Sequence, residues 1–232
     1  MSHRTLGRAV GALFLAAFAA YGTGALLAQS VTSAPELMTS VTDRRTVLAS
    51  GVLAILLNSA IVTALGLLAH RALRERHPLA ATTYLVTRIF EATVLAVGAV
   101  FLATLLAWSR SSTDARSGVR ADPDAVAALL PMAHEMAYQV AMLGLGVGSV
   151  VFCHALLRSG MVPHWLARWG MAGYAVFALG AAAELAGLPI GLWLSVPGGL
   201  FEVAVGVVLL RHGFRDGAAA LPTGIARTAV RS

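Results

Sequence analysis

The chain has 232 residues, of which 58% are hydrophobic and 12% charged, about half the charge of an ordinary soluble domain. With a mean hydropathy of +0.77, this composition excludes a large water-soluble domain and predicts an integral membrane protein partnered by the lipid bilayer. The net charge of +6 comes from 17 basic residues, all arginine. They lie scattered between apolar runs, with no basic stripe among aromatics, so no nucleic-acid partner is expected.

A helix crosses the hydrocarbon with about 20 apolar residues. Six segments reach that length, at roughly Arg8–Ala28, Thr46–Ala69, Thr82–Trp108, Leu130–Leu157, Trp165–Leu185 and Gly191–Leu210. The first follows Arg4 and Arg8 as a signal sequence would. It is long, however, and "LLAQS" has no small residue three before a cut, so it reads as a retained helix. The last two are separated only by "AGLPI" and read as a tight hairpin. The expected fold is all-α: one six-span transmembrane bundle over 1–214, with a disordered tail over 215–232. The polar Ser109–Pro123 connection reads as a mobile loop. A lone Cys153 rules out an internal disulfide or a cysteine-rich metal site and reads as a small buried hydrophobe. The sequence has no strong internal repeat, which gives no support to an inverted-repeat transporter.

Arginine placement sets the expected orientation. Six spans put eleven arginines on the side of the two termini: Arg4, Arg8, Arg71, Arg74, Arg76, Arg158, Arg168, Arg211, Arg215, Arg227 and Arg231. The opposite side has five (Arg44, Arg45, Arg110, Arg116 and Arg120), offset by Glu36, Asp43, Asp114, Asp122 and Asp124. Both termini are therefore expected in the cytoplasm. Trp108, Trp165, Trp169 and Trp193 fall near the ends of spans, where an aromatic belt would sit.

The informative residues are the polar ones inside the spans. A charge at mid-membrane costs a few kcal/mol or more and normally faces the bundle interior, where it finds partners. Arg88 and Glu91 are three apart in "TRIFEA" and share a helix face. Glu91 is about nine residues into its span, about 13 Å deep. Glu202 and Asn58 are near the middle of their own spans, so Asn58, Arg88, Glu91 and Glu202 can form one cluster. His134, Glu135 and Glu184 lie nearer the outer face and can form a second, shallower group, with Gln139 as an uncharged companion. In "PMAHEMAYQ", His134 has no second histidine at ligand spacing, so no metal is expected, nor any cofactor. The glycines of "GLGVGS" (Gly144–Ser149) and of Gly7–Ala25 read as close-packing faces rather than phosphate loops.

Two readings of the cluster stand. In one, Arg88 with Glu91 or Glu202 is a clamp that fixes helix packing. In the other, the excess of carboxylates over the single intramembrane arginine leaves some neutral, hydrated or paired with a ligand. A carboxylic acid in an apolar site keeps its proton more readily than in water, which suits it to donate one.

"RAVGALFLAAFAAYGTGALL", "YLVTRIFEATVLAVGA", "MVPHWLARWGMAGYAVFALGAAAELAG" and "PGGLFEVAVGVVLLRHGF" together resemble the bacterial family called domain of unknown function 4386. The most distinctive pieces are Arg88-x-x-Glu91 and Gly199-x-Phe201-Glu202. The resemblance implies a small multi-spanning membrane protein, carries no activity, and covers most of the chain. The concrete functional expectation is intramembrane acid/base chemistry on a lipophilic, isoprenoid- or lipid-like small molecule. By architectural analogy this would be a membrane-bound cyclase, with Glu91 or Glu202 as proton donor and Arg88 orienting the neighbouring carboxylate. Asn58, His134, Glu135, Gln139 and Glu184 would contact substrate, and Phe90, Tyr138 or Phe201 would stabilise a cation. The alternatives are a non-catalytic sensor or partner subunit, and a small proton-coupled transporter.

Overall fold

The computed structural model describes residues 2–111 and 123–215, and within them regular structure is helical throughout. Six long helices carry the architecture: α1 (His3–Thr32), α3 (Arg45–Leu73), α4 (Pro78–Ser111), α6 (Leu129–Ser159), α7 (His164–Leu185) and α8 (Gly191–His212). Two short ones, α2 (Leu37–Asp43) and α5 (Pro123–Ala127), lie in the connections. The expectations of a mobile loop and a disordered tail fall almost entirely on residues outside those described.

Local chemistry sets the helix ends. The Ser2 hydroxyl accepts from Thr5 N and caps α1. Pro78 opens α4, where its missing N–H costs nothing. Gly160, at φ 64, ends α6 in the left-handed conformation that a side chain disfavours. Arg44 Nη1 donates to Ser30 O at 2.6 Å, and Arg45 Nη2 to Leu106 O at 3.3 Å. Arg44 thus satisfies a carbonyl of the last turn of α1 that the helical ladder leaves open, and Arg45 ties α3 to the last turns of α4.

The long helices form a closed ring. α1 packs on α3, α3 on α4, α4 on α6, α6 on α7, α7 on α8, and α8 returns to α1. Neighbours run antiparallel, so the start of α1 meets the end of α8, where Arg8 Nη2 donates to Arg211 O. The same face holds the α6–α7 turn, where Arg215 N donates to Met161 O. The opposite face is closed partly by α2 and α5, joined where Met38 N donates to Asp124 Oδ1. One core cluster fills the ring around Tyr84, Phe152, Tyr174 and Phe201. A second, around Val41, Leu48 and Leu102, sits under α2 and α5.

The outer surface of the ring carries exposed Leu26, Leu53, Leu57, Val86, Val100, Val147 and Leu179. So continuous an apolar surface is what lipid, not water, would cover. Among the described residues, five helical stretches are long and apolar enough to cross a membrane: His3–Thr32, Arg45–Leu73, Pro78–Arg110, Asp124–Ser159 and Trp193–His212. α7 is as long as α8 but is diluted by Arg168, Glu184 and four glycine or tyrosine positions (Gly170, Gly173, Tyr174, Gly180).

Candidate functional site

Arg88 is the largest fully buried side chain among the described residues. It sits opposite Gly66 of α3, where an added Cβ would lie 2.8 Å from Arg88 Cβ. Only a bare backbone lets the arginine turn inward at that level. One turn before it on α4, the Tyr84 hydroxyl accepts from Arg88 Nε at 2.8 Å. Three residues after it, Glu91 Oε2 accepts from Nη1 at 2.8 Å. The guanidinium also lies over two rings, 5.0 Å from the Tyr84 centroid and 5.5 Å from that of Phe14 on α1. Such contacts strengthen where water is excluded.

Across the ring, Glu202 of α8 brings Oε1 to 3.7 Å from Arg88 Nη2. That distance makes an ion pair but no hydrogen bond. Glu202 Oε1 instead accepts from the Tyr174 hydroxyl of α7 at 2.7 Å. Arg88 Nη2 is thereby left buried without a hydrogen-bond partner. The two carboxylates differ: the Glu91 side chain is 5% exposed and that of Glu202 21%. Glu91 is committed to Arg88, whereas Glu202 opens onto free space.

That space is a cavity of about 180 Å³ at the centre of the ring. Asn58, Arg88, Glu91 and Glu202 all line it, together with Phe14, Phe18, Tyr21, Tyr138 and Phe177. The residues expected in one deep cluster are therefore together. A second cavity of about 270 Å³, towards the α2–α5 face, is lined by Glu135, Gln139 and Glu184 with Gln29 of α1. The two cavities share Tyr138, Met142, Phe177 and Ser195 as a common wall.

Three placements differ from expectation. His134 does not join the outer group. It is buried against Gly98 of α4, with Nδ1 unpartnered. Adjacent residues on a helix point about 100° apart, so when Glu135, Tyr138, Gln139 and Met142 face the cavities, His134 faces α4. Phe90 is 42% exposed and covers Gly144 of α6, outside the cavity. Phe201 is fully buried and packs edge-on against Tyr174 and Trp169, so it supports the site from behind. Tyr138 lines both cavities and stacks on Tyr21 at 5.2 Å. Sequence reasoning missed Tyr84 and Tyr174. Tyr84 was within reach, four residues before Arg88 on one face. Tyr174 was not, because its partner lies on another helix.

Apolar helices of membrane-spanning length, closed around a charged cavity, define a helical membrane protein. The chain belongs to the family described as Domain of unknown function (DUF4386), which matches residues 9–213. No curated protein and no solved structure matches the chain.

Proposed function

We infer that the chain crosses a bacterial plasma membrane six times, with both termini in the cytoplasm, and performs acid/base chemistry on a lipophilic, isoprenoid- or lipid-like molecule held in the central cavity. α7 supports the sixth span, since it completes the ring between α6 and α8. Nine of the described arginines (Arg4, Arg8, Arg71, Arg74, Arg76, Arg158, Arg168, Arg211 and Arg215) lie at the face of the termini, and only Arg44, Arg45 and Arg110 lie at the other. That bias favours a cytoplasmic location for the termini. Cysteines introduced at Ser2 and Glu36 test it. In right-side-out vesicles an impermeant thiol reagent should label only the second, and labelling of the first alone would reverse the orientation.

The observation carrying the chemical reading is that Glu202 opens onto an aromatic-lined cavity while Glu91 is fixed on Arg88. Tyr174 holds one oxygen of Glu202 and leaves the other for a substrate. An isomerisation or cyclisation needs only one proton delivered and one removed, with no change of redox state. In this scheme protonated Glu202 gives its proton to an olefin or epoxide. The carbocation that forms faces Phe14, Phe18, Tyr21 and Phe177, and its loss of a proton to the Glu202 carboxylate closes the cycle. Glu91 and Arg88 position Glu202.

The test is turnover in lipid nanodiscs with polyprenyl olefins and epoxides, with products followed by mass spectrometry. Cyclised or isomerised product is expected, falling about 100-fold or more in Glu202→Gln. If the whole panel is inert and Glu202→Gln alters only thermal stability, the protein is a non-catalytic sensor or partner subunit. Flux driven by a pH gradient in proteoliposomes would make it a carrier.

A further inference from the structure

We propose that the central cavity binds the neutral oxygen head of a lipophile on Asn58 and Arg88, and that its chain leaves sideways into the bilayer between α1 and α8. The proposal rests on the reading of the cavity as a lipophile site but not on catalysis.

Two polar groups in the cavity wall have no side-chain hydrogen bond among the described residues, although one of them is ion-paired. Arg88 Nη2 makes no hydrogen bond. Asn58 is 3% exposed, lines the cavity and makes no side-chain hydrogen bond. A buried donor without an acceptor, as Arg88 Nη2 is, is costly, and an oxygen acceptor in the cavity would relieve it while also taking the Asn58 amide that lines the same space. The charge balance selects the kind of oxygen. The guanidinium is already neutralised by Glu91 at 2.8 Å, with the Glu202 carboxyl group also beside it, so an anionic ligand would bring charge with no cation left to meet it. A ketone, quinone or epoxide oxygen accepts from Arg88 and Asn58 without adding charge.

The route follows from how α1 leans. Near its start it lies backbone-to-backbone on α8, where an added Cβ on Gly11 would come 2.5 Å from Leu210 N. Near its end it lies close to α3 instead, where one on Gly24 would come 3.0 Å from Gly51 O. Between those contacts α1 and α8 part. A Cβ on Gly22 would meet nothing within 4 Å, and one on Gly199 would meet only the Phe18 ring at 3.7 Å. Gly22, Gly199, Phe18 and Ser195 all line the cavity, while Val196 and Leu200 beside them face outward. The seam thus links the cavity wall to the lipid-facing surface, with the Phe18 ring beside Gly199.

The test uses long-chain methyl ketones carrying a diazirine, either beside the carbonyl or at mid-chain, photolysed with the protein in nanodiscs. The first probe should label α3 and α4 around Asn58 and Arg88. The second should label the Phe18–Gly22 and Ser195–Gly199 stretches. Excess unlabelled ketone should abolish both. Asn58→Leu should cut the competed labelling about ten-fold, the value of one hydrogen bond. Gly22→Leu, which fills open space and leaves packing intact, should cut it comparably if the seam is the route. The proposal is overturned if the matching fatty acid or alkylamine competes better than the ketone, or if labelling is not competed and falls on outward residues such as Leu53 and Leu57. Wild-type labelling in Gly22→Leu, with Asn58→Leu also unchanged, overturns it as well. Competed labelling without isoprenoid turnover would remove the acid/base reading and keep this one, and turnover without such labelling would do the reverse.

Discussion

Arg88→Leu will lower the thermal midpoint of the detergent-purified protein by about 12 °C. Breaking a buried ion pair by removing one partner costs about 4 kcal/mol, because the other charge is stranded. For a chain of this size each kcal/mol moves the midpoint by about 3 °C. Here the loss strands two carboxylates, Glu91 at 2.8 Å and Glu202 at 3.7 Å. It also removes the donor to Tyr84 and the cation over Phe14. Arg88→Lys should recover less than half of the loss, since one ammonium cannot bond Tyr84 and Glu91 in the guanidinium's geometry. Circular dichroism on heating reads both. A shift below about 3 °C for Arg88→Leu would mean the arginine is hydrated rather than held by these partners.

Gly11→Ala has the second largest effect, about 6 °C in the same direction. An added methyl group would lie 2.5 Å from Leu210 N, 2.6 Å from Gly206 O and 2.9 Å from Leu209 C. All three are backbone atoms that cannot rotate away, so α1 must move off α8. Overpacking of this kind costs about 3 kcal/mol. Alanine returns about 1 kcal/mol through its better helix propensity, leaving about 2 kcal/mol net. Gly22→Ala is the control on the same helix. It meets nothing, gains the propensity term alone, and should raise the midpoint by about 3 °C. Opposite signs for the two substitutions would place the α1–α8 contact at Gly11 and the gap at Gly22. Equal signs would contradict that geometry.

The helices were legible because a membrane imposes one rule, a long apolar run, and α1, α3, α4, α6 and α8 obey it. Depth was legible too, since a helix rises 1.5 Å per residue. Asn58, Arg88, Glu91 and Glu202 could therefore be set at one level from position alone. Facing direction was harder. A lipid-facing surface is as apolar as a packed one, so the segment around His134 carries little periodicity to orient it. Its neighbour Glu135 reached a cavity and His134 did not. Phe90 was misjudged for the same reason. Tyr174 was invisible because its hydroxyl finds Glu202 on another helix. The short α2 and α5 were lost between spans, where 7 and 5 residues give too little pattern to read. α7 was legible as a helix by length, although Arg168 and Glu184 make it less apolar than the five helical stretches that reach membrane-spanning character.

That charged groups from α4 and α8 meet across the ring is open to one direct measurement, a double-mutant cycle on thermal stability between Arg88→Leu and Glu202→Gln. Glu202→Gln should partly rescue Arg88→Leu. With the arginine gone, a neutral amide in place of Glu202 removes a stranded charge and can still accept from Tyr174. The combined variant should melt at least about 3 °C above the sum of the single losses, a coupling of about 1 kcal/mol. Strict additivity would mean the two side chains, 114 positions apart in sequence, do not sense each other, and the shared charged cavity would not exist.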